Sequence, residues 1–428
     1  MEIYVVQPGD SLYAIARRYG VSLERLIQDN GLLQPDYLVA GQTIVVQKPL
    51  QTHTVQTGET LYGIAQEYNI SLFALMRNNP GVLANDYIYP GENLVIRYEN
   101  NKLGTMAVKG YTGPGRSLQS LRQVLPYLTY LSIFAYSFTA AGDLVPIQDD
   151  EVIRQAWEYR AAPLLVLAPM GQNWTFSQEL NTRLLQDAAL QDKVIAQLQE
   201  VVERKQYYGV DVDFEFVGRE NREGLTQFVR KLRSSMDEIG RIVTIALPPK
   251  TSDEQQGHLY EGHDYRQLGE LVNRALLMTY DWGYPLGPPM AVAPQPEVRR
   301  VVEYAKTRIP DEKLLLGIAN YGYNWPLPFV VGKTVGNSVG NMEAVDLAWQ
   351  YHAAILYDEV AQSPYFHYFD RNKTEHVVWF QDARSVRAGI SLVNEYGIFG
   401  IGIWEVDRYF PQLYRVINDM YDVWKIME

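Results

Sequence analysis

Near the start of the chain, apolar residues recur at helical spacing between short strand-like runs, and the arrangement occurs twice. In the first copy, residues 4–46, the positions Leu12, Ile15, Ala16 and Tyr19 make one apolar helix face. A short strand, Tyr4–Gln7, and a glycine turn precede that helix, and Asp10 or Ser11 can cap it. A second helix begins at Ser22, passes through Leu26 and Ile27 and closes at Asn30–Gly31, and a Pro/Gly loop then leads to a strand, Thr43–Val46. Residues 53–96 repeat the pattern: Gly9 aligns with Gly58, Leu12 with Leu61, Tyr13 with Tyr62, Ala16 with Ala65 and Asn30 with Asn79, all 49 positions apart. From Gly41 and Gly91 onward the offset is 50, so the second copy has gained one loop residue. Each copy predicts a βααβ unit, and the short linker Gln47–Thr52, with one proline, predicts that the two sit close together.

From about residue 104 the texture changes to apolar runs alternating with amphipathic stretches, the mark of βαβ units. Strands are predicted at Met106–Tyr111, Tyr130–Phe138, Pro163–Ala168, Gly209–Phe216, Val243–Leu247, Ala275–Tyr280, Lys313–Ala319 and Phe399–Trp404. Helices lie between them, for example Leu190–Arg204 and Arg222–Ile239. Eight such units fit an α/β fold of the (β/α)8 or TIM-barrel type. A doubly wound open sheet competes, but Gly110-Tyr-Thr-Gly-Pro-Gly115 is a poor match to a phosphate-binding glycine loop. Residues 325–377 are too long for a simple connection. They predict a small α+β insertion after strand seven, with a helix at Glu343–Tyr351 and a hairpin pairing Tyr365–Phe369 with His376–Phe380. The expected division is 1–47, 51–98 and 104–428.

Composition changes this picture little. Of 428 residues 47% are hydrophobic and 21% charged, which excludes an extended disordered chain. Lys+Arg 38 against Asp+Glu 50 gives a net charge of −12, and no basic block argues for nucleic acid or an anionic membrane surface as partner. With no cysteine, disulfides, thiolate metal sites and thiol nucleophiles drop out. The six histidines are dispersed, and His258 and His263, five apart on a presumed loop, make no metal motif, so neither a metal nor another cofactor is expected. No run reaches the roughly 18–20 apolar residues of a membrane helix. The opening MEIYVVQPGDSLYAIA lacks a basic leader and an apolar core, so a secretory signal is not expected.

The chemistry concentrates in Gly209-Val-Asp-Val-Asp-Phe-Glu-Phe216. A buried parallel strand ordinarily reads as a continuous apolar run. Here period-two alternation aims Asp211, Asp213 and Glu215 at one face. Burying three acids side by side is costly, and like charges this close cannot all ionise, so at least one pKa must rise. Perturbed acids at a strand end are what acid/base catalysis requires.

The two front units resemble LysM modules over nearly every position. The resemblance implies binding of N-acetylglucosamine-containing glycans in a shallow groove. By that resemblance the groove is lined by Gly9, Asp10, Ser11 and Leu12 with Asn30, Gly31 and Leu32, and by Gly58, Glu59, Thr60 and Leu61 with Asn79, Pro80 and Gly81. Linking two weak sites raises apparent affinity for a polymer.

The carboxylate spacing resembles the D-x-x-D-x-D-x-E signature of glycoside hydrolase family 18, with Tyr208 in place of the first acid. Met278-Thr-Tyr-Asp281, Gly317–Trp325 and Gly400–Trp404 look like that family's segments on strands six, seven and eight; its glycine-rich strand-three signature is not evident, and Ala168–Trp174 stands there instead. The resemblance implies substrate-assisted hydrolysis with retention. Glu215 is then the general acid, with its pKa pushed up by the charge of Asp213. Asp213 orients the substrate's acetamido group, Tyr280 hydrogen-bonds its carbonyl, and Asp211 shares a proton with Asp213. Trp404 stacks beneath the sugar at the cleavage point. Met278, Asp281, Asn320, Tyr321, Tyr323 and Trp325 are candidate substrate contacts, as are Tyr136, Gln172 and Asn173.

The whole arrangement resembles the spore-cortex-lytic N-acetylglucosaminidases of spore-forming bacteria, in which the mother cell lays the enzyme down in the spore. The resemblance implies cleavage of cortex peptidoglycan after N-acetylglucosamine during germination, at the coat/cortex boundary. A muramic δ-lactam has lost its N-acetyl group, so it can flank the cut but cannot supply the nucleophile. The expected partner is peptidoglycan, with no nucleic acid and no membrane insertion, and the expected state is a monomer. Two alternatives are a chitinase-like hydrolase of chitin oligomers and a non-catalytic glycan-binding protein.

Overall fold

The computed structural model describes residues 1–32, 37–85, 87–113, 115, 117–171 and 174–426. Eight parallel strands close on themselves: Thr105–Thr112, Tyr130–Phe138, Ala162–Leu167, Gly209–Val212, Ile242–Leu247, Arg274–Leu277, Leu314–Ala319 and Gly400–Trp404, hereafter barrel strands one to eight. Each pairs with the next, and strand eight pairs with strand one, so no edge is left open. Alternation sorts the side chains. Outward residues such as Val108, Leu131, Leu165, Val210 and Val212 join the helices in the largest apolar cluster. Ala107, Tyr111, Tyr130, Leu164, Val166, Leu276 and Leu315 fill the inside.

Strands four and six are shorter than the sequence predicts. After Val212 the Asp213 amide still donates to Leu167 O at 3.0 Å, but the chain then leaves the sheet, carrying Glu215 above the rim. After Leu277, tight turns (Thr279 N to Leu277 O and Tyr280 N to Met278 O, both 2.8 Å) lift Tyr280 and Asp281 over the same end. The insertion after strand seven is a five-stranded antiparallel sheet with a helix at Asn341–Gln350, and its central hairpin, Ser363–Phe369 with Glu375–Trp379, matches the expectation.

The first front unit is βααβ, from Glu2–Val5 to Thr43–Val46. The second adds a short helix, Pro80–Asn85. Most of the expected linker is strand: Pro49–Thr54 pairs with Asn93–Tyr98, leaving Gln47 and Lys48 as the connection. Both units rest on the last barrel helix, Pro411–Met420, which is buried nearly all round. Its polar residues Gln412, Arg415 and Asn418, at helical spacing, face the two units. Gln412 Nε2 donates to Asn30 Oδ1 (3.0 Å) and Thr43 O (2.7 Å), and Asn418 Nδ2 to Asn78 Oδ1 (2.8 Å). No described helix is long and apolar enough to cross a membrane.

Candidate active site

Inside the barrel the acids occupy three environments. Asp211 is fully buried and accepts from Lys109 Nζ (2.6 Å) and Ser132 Oγ (3.0 Å) on one oxygen and from Thr244 Oγ1 (2.5 Å) on the other. Both oxygens of Asp211 therefore have donors from neighbouring strands. Asp213 is 4% exposed, and among the described residues its Oδ1 has no hydrogen-bond partner. Burial, then the negative charges of Glu215 and Asp211, push its carboxyl well above the ordinary range, against the pull of Lys109.

Glu215 is half-buried at the rim. Burial comes first and the charge of Asp281 second in raising its pKa from 4.5 to about 7. Asp281 is thus a neighbouring charge beyond the one the sequence suggested, and the repulsion between Asp213 and Glu215 shows in the raised carboxyl of Asp213. Asp281 itself opens to solvent within the cleft, at a left-handed turn (φ +64°), a conformation that Asp tolerates better than most residues. Tyr321 and Tyr323 donate to its Oδ1 at 2.6 and 3.1 Å, while its desolvating surroundings raise its carboxyl.

Tyr280 stands among all four acids. Burial and the charges of Asp213, Asp281, Glu215 and Asp211 hold its phenol far above its ordinary value, so it stays a donor. Its ring fits because residue 317 is glycine; a Cβ there would lie 2.8 Å from Tyr280 Cε1 and 2.5 Å from Leu277 O. Trp404, half-buried, meets Tyr111 and Phe134 with ring centroids 5.3 Å away in each case, and forms an aromatic floor.

Several expected contacts lie elsewhere. Tyr136 is buried outside the barrel wall and donates to Asp149 Oδ2 at 2.9 Å, because a register irregularity between Ile133 and Tyr136 reverses the alternation. Asn320 is buried and donates to Glu405 O (2.9 Å) and Arg408 O (2.6 Å), tying strand seven to the turn after strand eight. Trp325 is wholly buried under Gly336 and beside Tyr323, where it supports the wall without lining it. Met278, Tyr321 and Tyr323 pack beside Tyr280 in the wall. Gln172 and Asn173 lie outside the described residues. Tyr208 precedes the first residue of strand four, at the end opposite the mouth, with Tyr130 and Trp157 around it, so the departure from the acidic signature falls away from the cleft.

Lys109, Ser132, Thr244, Tyr111 and Phe134 were not foreseen. The available signal was a lysine alternating with Tyr111 in an otherwise apolar strand. Asn181 was also missed; its Nδ2 donates to Glu215 O at 2.6 Å and anchors the loop that carries the acid.

In the front units the repeated polar residues mostly build turns. Asp10 accepts from Tyr4 OH (2.6 Å) and Gln7 N (2.7 Å), and Glu59 from Gln56 N (2.6 Å) and His53 (2.8 Å). Ser11, not Asp10, caps the first helix, and Thr60 caps its counterpart. Asn30 and Asn79 are buried. Each donates to the backbone of its own helix and final strand, at Leu26 O and Val45 O or Leu75 O and Val95 O, so they brace each unit from within. Leu12 is buried and Leu61 half-buried, Gly9 and Gly58 are open left-handed turns, and Leu32 is half-buried. Gly31 abuts Pro411 of the barrel, and a Cβ on Gly81 would lie 3.6 Å from Gln28. Pro80 begins the extra helix.

A closed (β/α)8 barrel with an acid of raised pKa at the carboxyl end of strand four has the build of a glycosidase. The family model for glycosyl hydrolases family 18 matches residues 165–408, and that for the LysM domain matches residues 4–47 and 53–97. The chain belongs to glycosyl hydrolase family 18 and carries two LysM domains. It is similar to the cortical fragment-lytic enzyme of Bacillus subtilis (strain 168), 39% identical over 433 residues that cover 99% of each protein. Among solved structures it resembles the Bacillus cereus spore cortex-lytic enzyme SleL, with a TM-score of 0.83, 34% identity and coverage of 99% of this chain and 98% of that one. It also resembles the Bacillus megaterium enzyme of the same name, with a TM-score of 0.82, 32% identity and 99% of each chain covered.

Proposed function

We propose that this glycoside hydrolase is a retaining, substrate-assisted N-acetylglucosaminidase that cuts β-1,4 bonds after N-acetylglucosamine in spore-cortex peptidoglycan during germination, with its LysM domains holding the glycan. The observation that carries the reaction type is the pairing of Glu215, raised to about 7, with a buried Asp213 whose Oδ1 has no partner among the described residues.

Glu215 protonates the leaving glycosidic oxygen. The substrate's own acetamido oxygen attacks C1 as that bond breaks, forming an oxazolinium ion. Asp213 accepts the acetamido N–H and offsets the positive charge, and Tyr280 OH donates to the acetamido carbonyl. Water, losing its proton to Glu215, then attacks C1 from the face the leaving group vacated, which restores the acid and retains configuration. Trp404 supports the sugar from below. The names of the three Bacillus relatives support cortex as the substrate and the spore as the site of action.

Mass spectrometry of products from purified cortex fragments and from chitin oligomers tests the substrate. Cleavage of cortex fragments with new reducing-end N-acetylglucosamine is expected. Cleavage confined to chitin would overturn the cortex assignment, and Glu215→Gln cleaving as fast as the wild type would overturn the mechanism.

A further inference from the structure

A charged side chain at the bottom of the cleft has no part in the reaction as written. Lys109, on barrel strand one, is fully buried, and its Nζ lies 2.6 Å from Asp211 Oδ2, 3.4 Å from Thr244 Oγ1 and 4.8 Å from the centre of the Tyr111 ring. The barrel interior around this polar cluster is lined by apolar residues, Leu164, Val166, Leu276 and Leu315 among them. A buried ion pair in such a place gives little net stability over an apolar residue of the same volume. Folding alone therefore does not account for it.

We propose that Lys109 is a positioning residue of the reaction: with Ser132 and Thr244 it holds the Asp211 carboxylate in place and offsets its charge beneath Asp213, leaving Asp213 and Glu215 to handle the protons. The ammonium can only donate, and with the two hydroxyls it occupies both oxygens of Asp211. Asp213 then faces Glu215 above, the Lys109–Asp211 pair below, and the neutral phenols of Tyr111 and Tyr280 at its sides. The net-neutral pair spares Asp213 the full repulsion of Asp211, so Asp213 can be anionic while Glu215 is still protonated. That combination is what the oxazolinium step requires. Without the cation, the bare Asp211 carboxylate repels an ionised Asp213, and the acidic limb of the pH profile, where Asp213 becomes ionised, moves upward.

This deepens the substrate-assisted reading and rests on it. The test measures kcat/KM against pH for Lys109→Met, Thr244→Val and the double variant Lys109→Met/Asp211→Asn, beside Glu215→Gln. For Lys109→Met the acidic limb is expected to rise by about one pH unit, a tenfold change in proton affinity, with kcat falling and KM nearly constant. The isosteric Thr244→Val frees one Asp211 oxygen while leaving the cation, and it moves the same limb less, by about two- to threefold in proton affinity. The double variant, neutral throughout, returns the limb toward the wild-type position. An unmoved limb in Thr244→Val and in any folded Lys109→Met protein would overturn the role of Lys109, as would a double variant no better than Lys109→Met. Because Glu215→Gln remains inactive in those outcomes, failure of this role is distinct from failure of the mechanism.

Discussion

Two of the places where this molecule buries acidic side chains differ in what surrounds them. At the joint between the LysM domains and the barrel, Asp29 is 1% exposed and lies between Arg25 Nε (3.2 Å) and Arg415 Nη1 (3.6 Å). Arg415 also donates to Arg77 O and Tyr127 OH, and Arg77 donates to Asn418 Oδ1 and Pro126 O. In the barrel one cation serves three acids. Lys109 contacts Asp211, and among the described residues no ion pair reaches Asp213 or Glu215. A buried acid matched to its own guanidinium fixes geometry. Acids crowded together without matching cations hold protons near neutrality, and that is where chemistry occurs.

Glu215→Gln tests the contrast most severely. Loss of the acid is expected to lower kcat by about three orders of magnitude or more while glycan binding persists. Its effect on stability should run the other way. The folded state raises Glu215 from 4.5 to about 7, so ionised Glu215 destabilises the fold as pH climbs through that window. The variant should therefore melt higher than the wild type above pH 7, with the gain vanishing below 4.5; calorimetry at two pH values checks this. Arg415→Ala is the reciprocal experiment. Leaving Asp29 buried with half its compensation should cost about 3–5 kcal/mol in denaturant unfolding and loosen the domains. Turnover of a short soluble oligosaccharide per folded molecule should stay within about twofold of wild type. A large loss of turnover would erase the distinction between the two clusters.

The same contrast explains what was legible in the sequence. Period-two alternation and the apolar runs place all eight strands, and three acids on one face expose the ladder without any knowledge of the fold. Contacts across the barrel are different. Nothing local in Thr105–Thr112 says that Lys109 meets Asp211 on the far strand, although a lysine among inward positions was a cue. Tyr136 was misplaced because one register irregularity reverses alternation, and Trp325 because the insertion folds back over it. Asn30 and Asn79 recur for the fold's sake: a repeat carries the same signal whether a residue meets ligand or backbone.

Repetition also hides the joint. Gly41 and Gly91 occupy equal positions with φ of +86° and +90°. A Cβ on Gly91 meets nothing within 4 Å, but on Gly41 it would lie 1.8 Å from Ile355 O of the insertion. Both alanine variants pay for the left-handed backbone, about 1 kcal/mol each. Gly41→Ala must in addition displace the first LysM domain from the barrel, at a further cost of about 1–3 kcal/mol. Equal melting temperatures for the two variants would mean that the domain is not held at this point.

The smallest effect sharpens the contrast from the catalytic side. If unmatched charge tunes the acid, removing the Asp281 charge while keeping its shape should be visible as a shift in pH dependence. Asp281→Asn leaves an oxygen to accept from Tyr321 and Tyr323, which now donate at 2.6 and 3.1 Å, so the wall should hold. Without the neighbouring anion Glu215 ionises more easily, its pKa falls from about 7, and the protonated form is lost at a lower pH. Burial, the larger cause, is unchanged, so the basic limb of kcat/KM should move down by only about half to one unit. Asp29→Asn, at the joint, should leave that limb where it is because its charge is matched by arginine and distant from the acid. An unmoved limb in Asp281→Asn would assign the raised pKa of Glu215 to burial alone, and unmatched charge would then no longer separate the two clusters.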